Sequence, residues 1–126
     1  MLYNLKRGVF MSGVAYEKAL KFSIRIVKLY KYLKEEKKEY IMSKQLMRCG
    51  TSIGANLAEA KRGQSTKDFV SKIYISLKES SETEYWLELL YKTEYLTEKE
   101  YDSLKSDVNE IGKILMATVK TMKTRE

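Results

Sequence analysis

Histidine and proline are both absent from this chain of 126 residues, cysteine occurs once and glycine six times. Without histidine there is no Ser-His or Cys-His nucleophile pair, no HExxH zinc helix, no Glu-x-x-His pair of a di-iron bundle, and no helical ribonuclease built on an Arg…His motif. Neither GxxxxGK[ST] nor GxGxxG occurs. The lone Cys49 cannot close an intrachain disulfide, so a reducing compartment, the cytoplasm, is the expectation. With no histidine or second cysteine to activate it, Cys49 reads as a small packing residue rather than a nucleophile or metal ligand. No stretch approaches the roughly 18 uninterrupted apolar residues of a membrane span. The opening "MLYNLKRGVFMSG" has no apolar run or small-residue cleavage site of a signal peptide. Catalysis, a cofactor, a metal and a membrane are therefore not expected.

What the chain does contain points to helices. Lys, Glu, Leu, Ala and Met are abundant, 44% of residues are hydrophobic, and the length fits one domain, residues 1–126, able to bury a core without staples. Ala15, Ala19, Phe22, Ile26, Leu29 and Leu33 recur at three and four residues, the spacing of one helix face, and predict a helix over about 14–38. After the charged turn "KEEKKEY", Ser43 is placed to cap a second helix, 44–62, carrying Leu46, Gly50, Ile53, Leu57 and Ala60. Ser65 and Asp68 have the spacing of a capping box ahead of a third helix, 66–93, with Phe69, Ile73, Leu77, Leu87 and Leu90. Thr97 and Glu100 repeat that spacing before a fourth, 98–123, where Tyr101, Leu104, Val108, Ile111, Leu115, Thr118 and Met122 fall at heptad intervals. Four helices on short connections make an all-α, antiparallel up-down-up-down four-helix bundle the expected fold.

The stretch "RCGTSIGANLAEA" gives the second helix a surface with little bulk at Gly50, Gly54, Ala55 and Ala58. Glycine inside a helix costs about 1 kcal/mol relative to alanine, so close approach of another helix must offset the loss. Packing inside the bundle, a subunit contact or a ligand notch would each use such a surface. Arg48 and Glu59 lie three turns apart on one side, and Glu84 falls where the Ile73, Leu77, Ser80, Leu87 register calls for an apolar residue. A partly buried carboxylate needs a partner. Arg48, Glu59 and Glu84 are thus expected to form a polar network in the core or at a subunit seam. The run Glu79, Glu82, Glu84 and Glu88 otherwise reads as a solvated acidic face.

Charge is uneven. Residues 1–62 hold 14 basic and 5 acidic side chains, whereas residues 63–126 hold 10 and 12, a balance of +9 against −2. Lys18, Lys21, Arg25 and Lys28 follow helical spacing and form one basic stripe, with Tyr32 next along it. At an isoelectric point of 9.3 such a stripe reads either as a solvated face or as a phosphate-tracking footprint for RNA or DNA, with Tyr32 available for base stacking. Unlike halves also favour head-to-tail self-association.

The residues "RCGTSIGANLAEA", "QSTKDF" and "IYISLKESSETEYWLELL" resemble the four-helix-bundle family of 23S rRNA-intervening sequence proteins, whose pattern corresponds to Arg48, Ser52-Ile53, Asn56-Leu57-Ala58-Glu59, Phe69, and Glu82 with Glu84 before Leu87. Many members carry glycine directly after the glutamate of the second helix. Here Ala60 stands in that place, which implies that the helix runs on. The resemblance implies a homo-oligomeric ring, pentameric in similar proteins. Distantly similar accessory variability proteins of diversity-generating retroelements bind nucleic acid and a reverse transcriptase. The expected partners are therefore further copies of the chain, with RNA or DNA or another protein as the second. The family name records where its genes were found and implies no ribosomal role.

Overall fold

The structure, a computed structural model, describes residues 2–123. The ends of the expected domain span, Met1 and residues 124–126, lie outside the described residues. Four helices follow in order: α1 (Leu2–Glu35), α2 (Met42–Ala60), α3 (Thr66–Lys92) and α4 (Glu98–Lys123). Each packs against the helices before and after it in sequence, and α4 returns to α1. Short connections force neighbours to run antiparallel, so the bundle is up-down-up-down around one core. Among the described residues there is no strand.

The core is the periodic set read from the sequence. Ala15, Ala19, Phe22, Ile26 and Leu33 of α1 meet Leu46, Ile53 and Leu57 of α2, Phe69, Ile73, Leu87 and Leu90 of α3, and Leu104, Val108, Ile111 and Leu115 of α4. Leu77 lies at its edge rather than inside it. Its place is taken by Ser76, Ser80 and Thr83, all buried. Their hydroxyls find carbonyl acceptors: Ser76 Oγ donates across to Ile53 O at 2.9 Å, and Thr83 Oγ1 to Glu79 O at 2.7 Å. Small hydroxyl residues narrow this seam without leaving a polar atom unpaired.

Helix α1 starts at Leu2, twelve residues before the apolar pattern announced it. Its core stripe continues through Asn4, Gly8 and Ser12, all buried but none hydrophobic. The large apolar residues of that first segment, Leu2, Val9 and Phe10, are exposed instead. Hydrophobic periodicity fails there because narrow residues are needed: a Cβ on Gly8 would sit 2.5 Å from Met122 Sδ at the end of α4 and 3.7 Å from Phe69 at the start of α3.

The helix ends show which capping signals carried. At α3 the Ser65 hydroxyl accepts the Asp68 N–H at 3.1 Å, as expected. At α4 the Thr97 N–H donates to Glu100 Oε1 at 2.8 Å while Thr97 Oγ1 accepts the Glu100 N–H at 3.2 Å, a complete capping box. At α2 the expected cap is wrong. Ser43 is already inside the helix, its hydroxyl donating to Glu39 O at 2.8 Å, and the orphan amides of Ile41, Met42 and Ser43 are met by the Glu39 carboxylate at 3.0, 2.8 and 2.7 Å. Burial opposes ionisation of Glu39, but the hydrogen bonds from Ser43, Met42 and Ile41 outweigh it and hold the carboxyl below its ordinary range. The α1–α2 turn that delivers Glu39 passes through Lys38 at φ 56°, left-handed backbone, where the Glu39 N–H closes on Leu33 O at 2.9 Å.

Helix α2 does not run on to Arg62. It ends at Ala60, where the Arg62 and Gly63 amides donate to Glu59 O and Ala60 O at 3.0 and 3.1 Å and tighten the last turn. Its small-residue surface divides in two. Gly50 and Gly54 face α1, a Cβ at Gly50 falling 3.2 Å from Ile26 side-chain carbons and one at Gly54 only 3.5 Å from Ala19 Cβ. Ala55 and Ala58 face solvent.

Candidate functional site

The basic stripe of α1 is interrupted by its neighbour. The heptad of α4 that buries Val108 and Ile111 sets Asp107 and Glu110, three residues apart, along the α1 seam. Lys18 Nζ meets Glu110 Oε1 at 3.0 Å. Arg25 Nη1 meets Asp107 Oδ2 at 2.6 Å while its Nη2 donates to Ser103 Oγ at 2.9 Å. These side chains are about half exposed, so each pair stabilises the fold by about 1 kcal/mol or less. The effect on surface charge is larger, because two of the four cations are answered by carboxylates. Lys21 and Lys28 remain exposed with no ion-pair partner among the described residues. Tyr32 is exposed at the end of the stripe, with Lys37 Nζ 5.9 Å from its ring centre.

Arg48, Glu59 and Glu84 do not come together as expected within the subunit. Arg48 reaches Glu82 Oε2 and, at 3.5 Å, Glu79 Oε2, with Gln45 Oε1 at 3.4 Å from its Nε. Glu82 also accepts the Trp86 indole N–H at 3.0 Å. Glu59 binds Lys72 across the α2–α3 seam at 3.1 Å. Glu84 lies half-buried on the other side of α3, in a shallow groove of about 430 Å³ against α4 lined by Leu77, Ser81, Gly112 and Met116. Two residues along a helix turn the side chain by about 200°. Glu79 and Glu82, three apart, share the α2 side; that spacing was the available signal.

Arg48→Met is accordingly expected to cost about 1–2 kcal/mol, less than a fully buried network would. The loss comes chiefly from Glu79, whose side chain is only 14% exposed and would be left beside Glu82 without the guanidinium. Chemical denaturation of the variant should show a lowered midpoint, and an unchanged midpoint would show the cluster to be fully solvated.

Cys49 is buried in the same seam. Thr83 Oγ1 lies 3.4 Å from its sulfur, and burial pushes the thiol upward, with the nearby Glu82 and Glu79 acting in the same direction. Such a thiol is a poor nucleophile near neutrality. Among the described residues there is no group of three or more Cys, Asp or Glu side chains placed to hold a metal ion, and no helix is long and apolar enough to cross a membrane.

One surface was missed by reading a single face for each helix. Val9, Leu20 and Ile24 share one row of α1 outside its core stripe and are exposed. Gly13 falls in the same row, and a side chain there would meet open space. The spacing of these four residues is as helical as that of the core stripe, so the signal was present.

Fold and surface together define a basic, up-down four-helix bundle with ion pairs along its α1–α4 and α2–α3 seams. The chain belongs to the 23S rRNA-intervening sequence protein family, whose model matches residues 13–117. It is similar, with 53% identity and a TM-score of 0.86, to a crystal structure from Bacteroides thetaiotaomicron described as a protein with unknown function from the S23 ribosomal protein family. The match covers 87% of this chain and 98% of that one. No curated protein matches.

Proposed function

We propose that the protein is a non-catalytic, cytoplasmic helical module that assembles with copies of itself, as a ring of five, and binds RNA or DNA through phosphate contacts. The observation that supports this is the distribution of charge. Helices α1 and α2 are neighbours, so the +9 first half of the sequence forms one side of the bundle and the −2 second half forms the other. Unlike sides of one molecule attract head to tail, and such contacts close into a ring when the rotation allows. The net excess of cations favours a polyanion, whose bound counterions are released on contact. The outward apolar row Val9, Leu20, Ile24 favours a second reading, a protein-interaction scaffold without direct nucleic-acid binding.

Light scattering and salt titration test the proposal together. The scattering mass at micromolar concentration should be about five times the 14.8 kDa chain; a monomer mass would refute assembly. A fluorescent single-stranded RNA should bind at low salt with a logarithmic salt slope of about 0.7 per phosphate contact and little dependence on sequence. Absence of binding to RNA and DNA would leave the scaffold reading.

A further inference from the structure

We infer that the nucleic acid is a single strand held at one end of the bundle, where Lys6, Arg7, Lys61, Arg62, Lys67 and Lys123 converge, and not along the middle of α1. This rests on the nucleic-acid reading above and gives it a place. The antiparallel fold gathers at this end the start of α1, the α2–α3 turn, the start of α3 and the finish of α4. Contacts across it are direct: Gly8 approaches Met122 and Phe69, and Leu5 and Val9 face Lys61 and Gly63–Thr66 across a shallow recess of about 370 Å³.

Charge separates sharply between the two ends. Over residues 2–16, 59–72 and 118–123 there are eight basic side chains and two acidic ones, Glu59 and Asp68, and Glu59 is already engaged by Lys72. At the opposite end, residues 30–45 and 88–102, seven basic side chains are balanced by eight acidic ones. Six of the seven units of net charge therefore lie at one end. Division of the sequence into halves conceals this, because Lys67 and Lys123 belong to the acidic half. The middle of α1 lacks such an excess, its Lys18 and Arg25 being paired with Glu110 and Asp107.

The same end offers flat apolar rings. Tyr3, Phe10 and Tyr74 are 66%, 73% and 42% exposed. Lys123 Nζ lies 5.2 Å from the Tyr74 ring centre and Lys61 Nζ 4.3 Å from that of Tyr16, so two of the cations stand beside aromatic rings. Phosphates against ammonium groups, with unstacked bases on exposed rings, is the chemistry of single-strand recognition. A duplex keeps its base faces covered and would leave the rings unused. Lys6, Arg7, Tyr3 and Phe10 lie before the family-matched residues 13–117.

The test uses the full chain with fluorescent single strands of RNA and DNA of one sequence, and vesicles of anionic phospholipid. Lys6→Glu/Arg7→Glu/Arg62→Glu should weaken binding to whichever strand is bound by about 100-fold at low salt and reduce the salt slope by about 2 to 3. Lys6→Gln/Arg7→Gln/Arg62→Gln, which guards against misfolding by charge reversal, should weaken it by about 10-fold. Lys21→Glu/Lys28→Glu should stay within about three-fold of the unmodified protein, since it touches none of these contacts. Circular dichroism and light scattering check that fold and assembly persist. Equal affinities for the unmodified protein and both end variants, with RNA or DNA still bound, would overturn this placement and leave the nucleic-acid reading standing. So would a loss caused only by the Lys21/Lys28 variant. Binding to vesicles but to neither strand, or to nothing, would overturn both.

Discussion

Glu39→Ala is expected to destabilise the protein by about 2–3 kcal/mol, a large effect for a single residue in a turn. One carboxylate meets three amides, of Ile41, Met42 and Ser43, at the start of α2, and its side chain is buried, so water cannot replace it without opening the turn. Hydrogen bonds to a charged acceptor are about twice as strong as neutral ones. Glu39→Gln retains the shape and part of the bonding and should lose roughly half as much. The effect carries a pH signature. The folded pKa of Glu39 lies below its ordinary value of 4.5. Its contribution is therefore fully present above that value and is lost as pH falls through the lower folded pKa. Urea midpoints of the two proteins should accordingly differ near neutrality and converge in acid. A constant difference down through that range would show that the carboxylate is not the group responsible.

Gly50→Leu should cost about 3 kcal/mol or more, while Gly54→Ala, one turn along the same helix, should stabilise by up to about 1 kcal/mol. The opposite signs follow from what each side chain meets. At Gly50 the Cβ alone falls 3.2 Å from two carbons of Ile26, a buried residue with no room to retreat, and the remaining atoms of leucine would have to part α1 from α2. At Gly54 the new methyl makes ordinary contact with Ala19 at 3.5 Å and Ser23 Oγ at 3.6 Å. It then adds helix propensity without strain. Thermal unfolding monitored by circular dichroism would register both. Destabilisation by Gly54→Ala would show α1 and α2 to lie closer at Gly54 than its 3.5 Å spacing from Ala19 allows.

The small-residue run of α2 shows how far the sequence could be read. Gly50 and Gly54 at spacing four required a close neighbour, and the reading left open whether that was another helix of the bundle, a second subunit or a ligand. Distances to Ile26 and Ala19 choose α1. Ala55, one residue past Gly54, and Ala58, one turn past it, are exposed instead. Spacing on one helix defines a face, but which helix meets it is a property of two chain segments at once.

The charged residues divide in the same way. Thr97 with Glu100 and Ser65 with Asp68 were legible because a capping box is closed by residues three apart. The Glu39 cap was not, because its carboxylate reaches the amides only after the chain has reversed through left-handed Lys38. Glu84 was expected to need a partner, with Arg48 the candidate, yet the rotation of α3 turned Glu79 and Glu82 toward Arg48 and Glu84 toward α4. A register carried by Ser76, Ser80 and Thr83 looks polar in sequence. It becomes core only when a neighbouring helix approaches closely enough to exclude water.

By itself, then, the sequence determined the four helices, their antiparallel order and most of the core, since a 3.6-residue period and short connections act locally. It also determined an excess of positive charge. Tertiary structure decided where that charge is expressed: α4 sets Asp107 and Glu110 against the α1 stripe, and the reversal of direction at each turn brings Lys6 and Arg7, Lys61 and Arg62, Lys67 and Lys123 of four segments to one end. Electrostatic attraction depends on distance through space and not on separation along the chain.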